Sequence, residues 1–318
     1  SGGTLSNLMA LVIARDHAKL QNNSNAVVLA SSEAHVSLEK SLSVMGLSPD
    51  SLKKIETDND GRMSINDLSR RLIELRAEGK QCFAIVVTAG TTLRGAVDPI
   101  LDVSRICKKE KLWLHVDAAI GGVFGLSIAT KKLVSGISFA DSISVNPQKL
   151  LGIAKTSSLL LVADKSNLSR VFSTGLPYTE PSACDEFHGG EIGIQGTRSA
   201  EVLKLWMGLR QLGQLGLERL LLDSIERREY LQSKIDVNGF NLISGPLHLL
   251  AVTPKGRTKS EVAEWSMNTR KNLLNNNFML SRPIHQNLHY LKVVLGNPHT
   301  KLNELDLLAE LLNNSLKE

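Results

Sequence analysis

An α/β fold is predicted, a mostly parallel central sheet covered by helices with a smaller C-terminal α/β domain, and three observations predict it. Short apolar runs without a polar alternate face ("NAVVLASS", "CFAIVVTAG", "LWLHVDAA", "DSISV") read as strands buried on both sides. Between them lie amphipathic helical patterns, the alternation that builds parallel strands. After a long helical region from about 198 to 231, strands and helices alternate again on a smaller scale, so the chain divides into residues 1–215 and 216–318.

The elements follow in order. "SGGTLSNLMALVIARD" passes from small residues into a helix beginning near Thr4, with Leu5, Leu8, Met9 and Val12 at helical spacing. "AHVSLEKSLSVMG" is a second helix closed by Gly46, and "SINDLSRRLIELRAEG" a third, after a "DNDG" turn, ending at Gly79. In "DPILDVSRICKKEK" Asp98 reads as the N-cap and Pro99 as the first helical residue. "SSLLLVAD" supplies one more strand. Residues 173–197 lose all periodicity and read as a long surface loop. The long helix is expected to be interrupted near Gly213 and Gly216. "FNLISG", "LHLLAVTP" and "HYLKVVLG" are strands of the C-terminal part, with "SEVAEWSMNTRKNLLNN" and "LNELDLLAELLNNSLK" as its helices.

Composition sets limits. The 318 residues, 42% hydrophobic and 22% charged, can bury a large core. The net charge of +5 is scattered and only 4% of residues are aromatic, which argues against nucleic-acid binding. No apolar stretch is long enough to span a bilayer and no metal-ligand spacing stands out. Cys82, Cys107 and Cys184 form no CxxC pair and leave an odd thiol, as in a reducing, cytoplasmic setting.

Ligands of parallel α/β sheets bind at the carboxyl ends of the strands. Asp117 closes "LWLHVD" beside small residues; it reads as a ligand partner, a helix cap or a structural ion pair. Lys149 follows "SISVNPQ" where a buried strand meets a turn, and reads as a buried, partnered amine or as a lysine that snorkels to the surface. Thr88, Thr91 and Thr92 fit either a site or turn chemistry. "SGGT" opening a helix offers backbone N–H groups and a dipole suited to phosphate. Together, an anion nest, an acid and a lysine describe a site for a phosphorylated, nitrogen-containing aldehyde.

"SGGTLSNLMALVIARD", "AHVSLEKSLSVMGL", "VVTAGTTLRGAVDPI", "LWLHVDAAIGG" and "ADSISVNPQKLLG" occur in an order and spacing that resembles the pyridoxal-phosphate-dependent group II amino-acid decarboxylases. The resemblance covers about residues 1–215, and the C-terminal part agrees in pattern only. It implies a fold-type-I transferase-like architecture, pyridoxal 5'-phosphate as cofactor and decarboxylation of an L-amino acid. Lys149 would form the Schiff base and Asp117 would partner the pyridine nitrogen. His35 would stack on the ring, with Ala119 against the other face. Gly3 and Thr4 match phosphate-loop positions, Asn146 contacts the cofactor region, and Thr92 and Asp98 match residues around the ring substituents. Arg198 in "IQGTRSAE" matches the arginine that grips the substrate α-carboxylate. Tyr178 in "GLPYTEP" matches a loop tyrosine that reprotonates Cα and reaches a neighbouring subunit, implying a homodimer with active sites at the interface. Gln148 stands where most of the family has His, so its contact with phosphate would be uncharged. Because Ser1 already lies inside the phosphate loop, a preceding segment is expected. Two alternatives stay open: another fold-type-I chemistry (lyase, desulfurase or aminotransferase), or a catalytically silent cofactor-binding paralogue.

Overall fold

A computed structural model of the chain describes residues 2–175 and 189–317. The first part builds a six-stranded sheet from β1 (Ala26–Ser31), β2 (Leu52–Ile55), β3 (Gln81–Thr88), β4 (Trp113–Ala118), β5 (Ser142–Val145) and β6 (Leu159–Val162), in the order β2-β1-β3-β4-β5-β6. All neighbours are parallel except β5 and β6, which pair antiparallel with Val145 opposite Leu159. Period-2 alternation makes the sheet two-sided. Val27, Leu29, Ile85 and Val87 enter one buried cluster, while Val28, Ala30, Ala84 and Val86 enter the cluster on the opposite face. Helix α1 (Gly3–His17) precedes β1, the crossovers carry α2 (Ser37–Val44), α3 (Ile65–Ala77) and α4 (Ile100–Glu110), and α5 (Ser166–Phe172) follows β6.

The structure departs from the sequence reading in four places. β2 was absorbed into a turn because "LKKI" has only two apolar residues; it is an edge strand, where lysines protect an unpaired ladder. In α1 the buried face is not the Leu5, Leu8, Met9, Val12 stripe: Ala10, Leu11, Ile13 and Ala14 are fully buried, with polar Ser6 and Asn7 beside them. Asp98 does not cap α4, which starts one residue later with Pro99 in the cap position. Its carboxylate is taken by tertiary partners instead, the backbone N–H groups of Met63 and Thr88, each at 2.7 Å.

The fourth departure concerns the boundary. A long helix, α6 (Val202–Lys234), runs across position 215, and its only non-helical residue is Gly213, at φ 60° and ψ −178°. Gly216 stays helical. Leu217 and Leu221 pack into the core of the six-stranded sheet, whereas Leu231 belongs to the next core. That core lies on an antiparallel sheet of β7 (Phe240–Ser244), β8 (Leu249–Pro254) and, after a two-stranded hairpin of β9 (Ile284–His285) and β10 (Leu288–His289), β11 (Leu291–Val294). Helices α7 (Lys259–Asn275) and α8 (Leu302–Asn314) cover it. Among the described residues no helix is long and apolar enough to cross a membrane.

Candidate active site

The strand order reverses between β1 and β3, and the residues that follow β1, β3, β4 and β5 converge there on one cavity of about 190 Å³. Glu33, His35 and Ser37 come from the β1–α2 loop and helix start, Thr88, Gly90 and Thr92 from the end of β3, Asp117, Ala119 and Ile120 from the end of β4, and Asn146 and Lys149 from the turn after β5. Gly3, Thr4 and Asn7 of α1 close it. The helix can approach because Gly3 has no side chain: a Cβ there would lie 2.7 Å from the Asn146 amide. Gly90, at φ 101°, occupies a backbone region that L-residues avoid.

Lys149 ends a short 3₁₀ turn over Pro147–Lys149, its backbone N–H bonded to the Asn146 carbonyl. The residue is exposed to solvent, yet desolvation by the neighbouring walls lowers its pKa, and the charge of Asp117 opposes that shift. The direction of the shift is the one a nucleophilic amine requires. Asp117 is buried, and three donors hold it: Ala119 N–H at 3.1 Å and the Ser144 hydroxyl at 3.2 Å on Oδ1, and the Asn7 amide at 2.8 Å on Oδ2. His35 accepts the Ser37 N–H at Nδ1, 3.2 Å away, which leaves Nε2 as its protonated nitrogen. Its pKa is lowered, by desolvation first and by Lys149 and Lys40 further, against the pull of Asp117.

Of the residues the sequence proposed, Gly3, Thr4, His35, Thr92, Asp117, Ala119, Asn146 and Lys149 line this cavity. Three others lie elsewhere. Asp98 is 2% exposed, both oxygens hold backbone N–H groups, and it is not on the cavity wall. Gln148 uses its carbonyl oxygen to accept the Ser157 N–H and so braces the turn behind Lys149 rather than facing the cavity. Arg198 is exposed, donates to the Gly189 carbonyl at 3.0 Å, and lines a separate cleft on the neighbouring flank of α1, beside Leu5, Ser6 and Met9. Tyr178 lies outside the described residues. Thr91 is a turn residue, its hydroxyl accepting the Ala96 N–H at 3.0 Å.

Sequence reasoning missed Asn7, His115 and Lys292. Asn7 stands one helical turn after Gly3, and His115 two residues before Asp117 on the same face of β4; both spacings were visible as polar residues in buried patterns. Lys292, from β11, donates to the Thr92 carbonyl at 3.1 Å, and desolvation, then Lys149, lower its pKa.

A switch-point cavity that brings together a lysine, a buried carboxylate and a glycine-led helix start is the class of enzyme site that suits an aldehyde cofactor with a phosphate tail. Residues 1–252 match the pyridoxal-dependent decarboxylase conserved domain, and the chain belongs to that family. It is 34% identical over 259 residues to human acidic amino acid decarboxylase GADL1, covering 77% of this chain and 49% of that protein. It is 31% identical over 338 residues to mouse cysteine sulfinic acid decarboxylase, covering 98% of this chain and 68% of that one. The chain thus spans about half the length of GADL1. The crystal structure of mouse CSAD in apo form superposes with a TM-score of 0.88 at 28% identity, over 99% of this chain and 70% of that one.

Proposed function

We propose that this chain carries the catalytic site of a pyridoxal-phosphate-dependent decarboxylase that converts an L-amino acid to its amine and CO₂. The observation that carries the reading is the convergence of Lys149 and Asp117 on one small cavity at the switch point. The residues present fit the cofactor. Thr88 Oγ1 is buried without a partner on the cavity wall, and Gly3 and Gly90 let the walls close in, since a Cβ would lie 2.7 Å from the Asn146 amide or 2.9 Å from the Ile120 side chain. Lys149 would hold the aldehyde, Asp117 the ring nitrogen, His35 and Ala119 the two faces, and Gly3, Thr4 and Asn146 the phosphate end.

Bound there, pyridoxal phosphate supplies an electron-withdrawing ring that accepts the electron pair left on the substrate α-carbon when CO₂ departs. The chain's own residues do the rest. Asp117, whose oxygens accept from three donors, would keep a proton on the ring nitrogen. Lys149 exchanges a proton at Nζ as the substrate amine arrives and leaves. His35 presents an Nε2–H to the cavity, placed to return a proton to the α-carbon. Two cations are available to the substrate carboxylate, Arg198 by the family resemblance and Lys292 by its hydrogen bond to Thr92 on the cavity wall; the second contact favours Lys292. Tyr178 as a second proton donor, a homodimer with shared sites and a cytoplasmic setting belong to the same proposal, supported by the family resemblance of the "GLPYTEP" stretch and by the unpaired thiols.

Titrating the chain with pyridoxal phosphate should develop a visible absorbance band that Lys149→Ala abolishes, and a panel of L-amino acids, acidic ones included, should release CO₂ only with Lys149 present. A band without any turnover would support the silent-paralogue reading instead. Lys292→Met should raise KM at least tenfold, about the weight of one charged hydrogen bond, with the band unchanged. Arg198→Met should change KM less; the reverse ranking returns the carboxylate to Arg198.

A further inference from the structure

We propose that Asn7 and His115 are positioning residues that fix Asp117 as an anion and select which of its oxygens meets the cofactor, an inference that rests on assigning the cavity to pyridoxal phosphate. Trp113, His115 and Asp117 share one face of β4, and the register with β5 sets Ser142 opposite His115 and Ser144 opposite Asp117. The hydrogen bonds along this column run in one direction. A carboxylate only accepts, so Asn7 must turn its amide nitrogen to Asp117 Oδ2, at 2.8 Å, with its other hydrogen on the Ser37 hydroxyl at 2.9 Å. The Asn7 carbonyl oxygen then faces His115 Nε2 at 3.1 Å, which must carry the proton. Nδ1 is left bare and accepts from the Ser142 hydroxyl at 2.9 Å, whose oxygen takes the Trp113 indole N–H at 2.8 Å; the Ser142 carbonyl, 3.2 Å from the same nitrogen, is the one contact that favours a proton there. Each donor points toward Asp117. His115 is fully buried, and burial outweighs the pull of Asp117 and of the Ser142 carbonyl, so the ring stays neutral and the order of donors is kept.

Counting acceptor sites sharpens this. An ionised carboxylate offers about four. Ser144 and Ala119 occupy both sites of Oδ1, while Asn7 occupies one of Oδ2. The remaining site is on Oδ2, the oxygen that Asn7 holds, and the geometry assigns it to the cofactor's ring N–H. The charged or titratable groups facing Asp117 are His35 from the β1–α2 loop, Lys149 from the turn after β5 and His115 on its own strand.

The first arm of the test needs no cofactor. Long-range ¹H–¹⁵N NMR of the histidine-labelled chain should show His115 as the Nε2–H tautomer above about pH 5, well under the ordinary histidine range; a bare Nε2 overturns the proposal. In the second arm the chain is titrated with pyridoxal phosphate labelled with ¹⁵N in the ring. His115→Gln, whose amide can reach the Nε2 position, should keep wild-type affinity and a protonated ring nitrogen. His115→Leu and Asn7→Leu should bind roughly ten- to a hundredfold more weakly and lose the ring proton at lower pH than wild type. His115→Asn, too short to reach Asn7, is the polar control and should follow the leucine variants. A glutamine variant no better than asparagine, or an unchanged ring-nitrogen titration in folded leucine variants, overturns the proposal. A wild-type chain that binds no pyridoxal phosphate while His115 shows the expected tautomer would sink the cofactor assignment alone.

Discussion

Asp117 and Asp98 are both buried carboxylates at the carboxyl end of the central sheet, 4% and 2% exposed, and they have come to opposite ends. Asp98 spends its two oxygens on the N–H groups of Met63 and Thr88, tying the turn before α3 to the end of β3. Asp117 takes side-chain donors as well as one backbone N–H, and it borders open space. A buried acid is a fastener when backbone amides consume it, and part of a site when a cavity remains in front of it.

The comparison can be broken most decisively by neutralising each acid in turn. Asp117→Asn should lower affinity for pyridoxal phosphate by a hundredfold or more, roughly the weight of a charge-assisted pair in a dry site, measured by titrating the visible band. Asp98→Asn should leave that affinity unchanged and instead destabilise the chain by about 2 kcal/mol, because the amide can satisfy one N–H but opposes the other; urea unfolding measures it. Swapped signatures would mean the two acids have been assigned the wrong way round.

A smaller effect separates the two regions by pH. Burial pushes the His115 pKa down to about 4, so between about pH 6.5 and 4 the unfolded chain binds the proton that the native chain refuses, and stability falls as pH drops. His248, buried beside Phe124 and also near 4, adds in the same direction. Burial raises the Asp98 pKa to about 6, so over much of that window the native chain takes the proton first, and this contribution to stability grows as pH drops. His115→Gln should therefore flatten the acid limb of the melting profile, and Asp98→Asn should steepen it. Parallel limbs in the two variants would show that neither group titrates as its burial requires.

The same pair shows what was legible in the sequence. Except for β2, the parallel strands, their order along the chain and the polar residues at their ends could be read because each of these strands carries its apolar run and its polar terminus in one contiguous stretch. Asp98 was misread because Asp-Pro before a helix is a strong local cap signal, and the competing donors, from Met63 and Thr88, are supplied by the fold. Asn7 was passed over although it sits within the motif that carried the resemblance: its partners His115 and Asp117 are 108 and 110 residues away, and no local pattern announces them. Lys292 reaches the rim from β11, in the part of the chain whose likeness was one of pattern alone, so its meeting with Thr92 is tertiary information.

The antiparallel edge has a bearing on the chemistry. β5 and β6 are pinned with Val145 against Leu159, and immediately beyond this pair Ser158 bonds the Asn146 side chain at 2.6 Å. Successive residues of a strand face opposite sides, so a one-residue slip of β6 along β5 would turn the β6 side chains to the other face and take Ser158 away from the Asn146 side chain that lines the cavity. The register of a four-residue border strand, none of whose residues lines the cavity, thus holds in place one of the side chains that do.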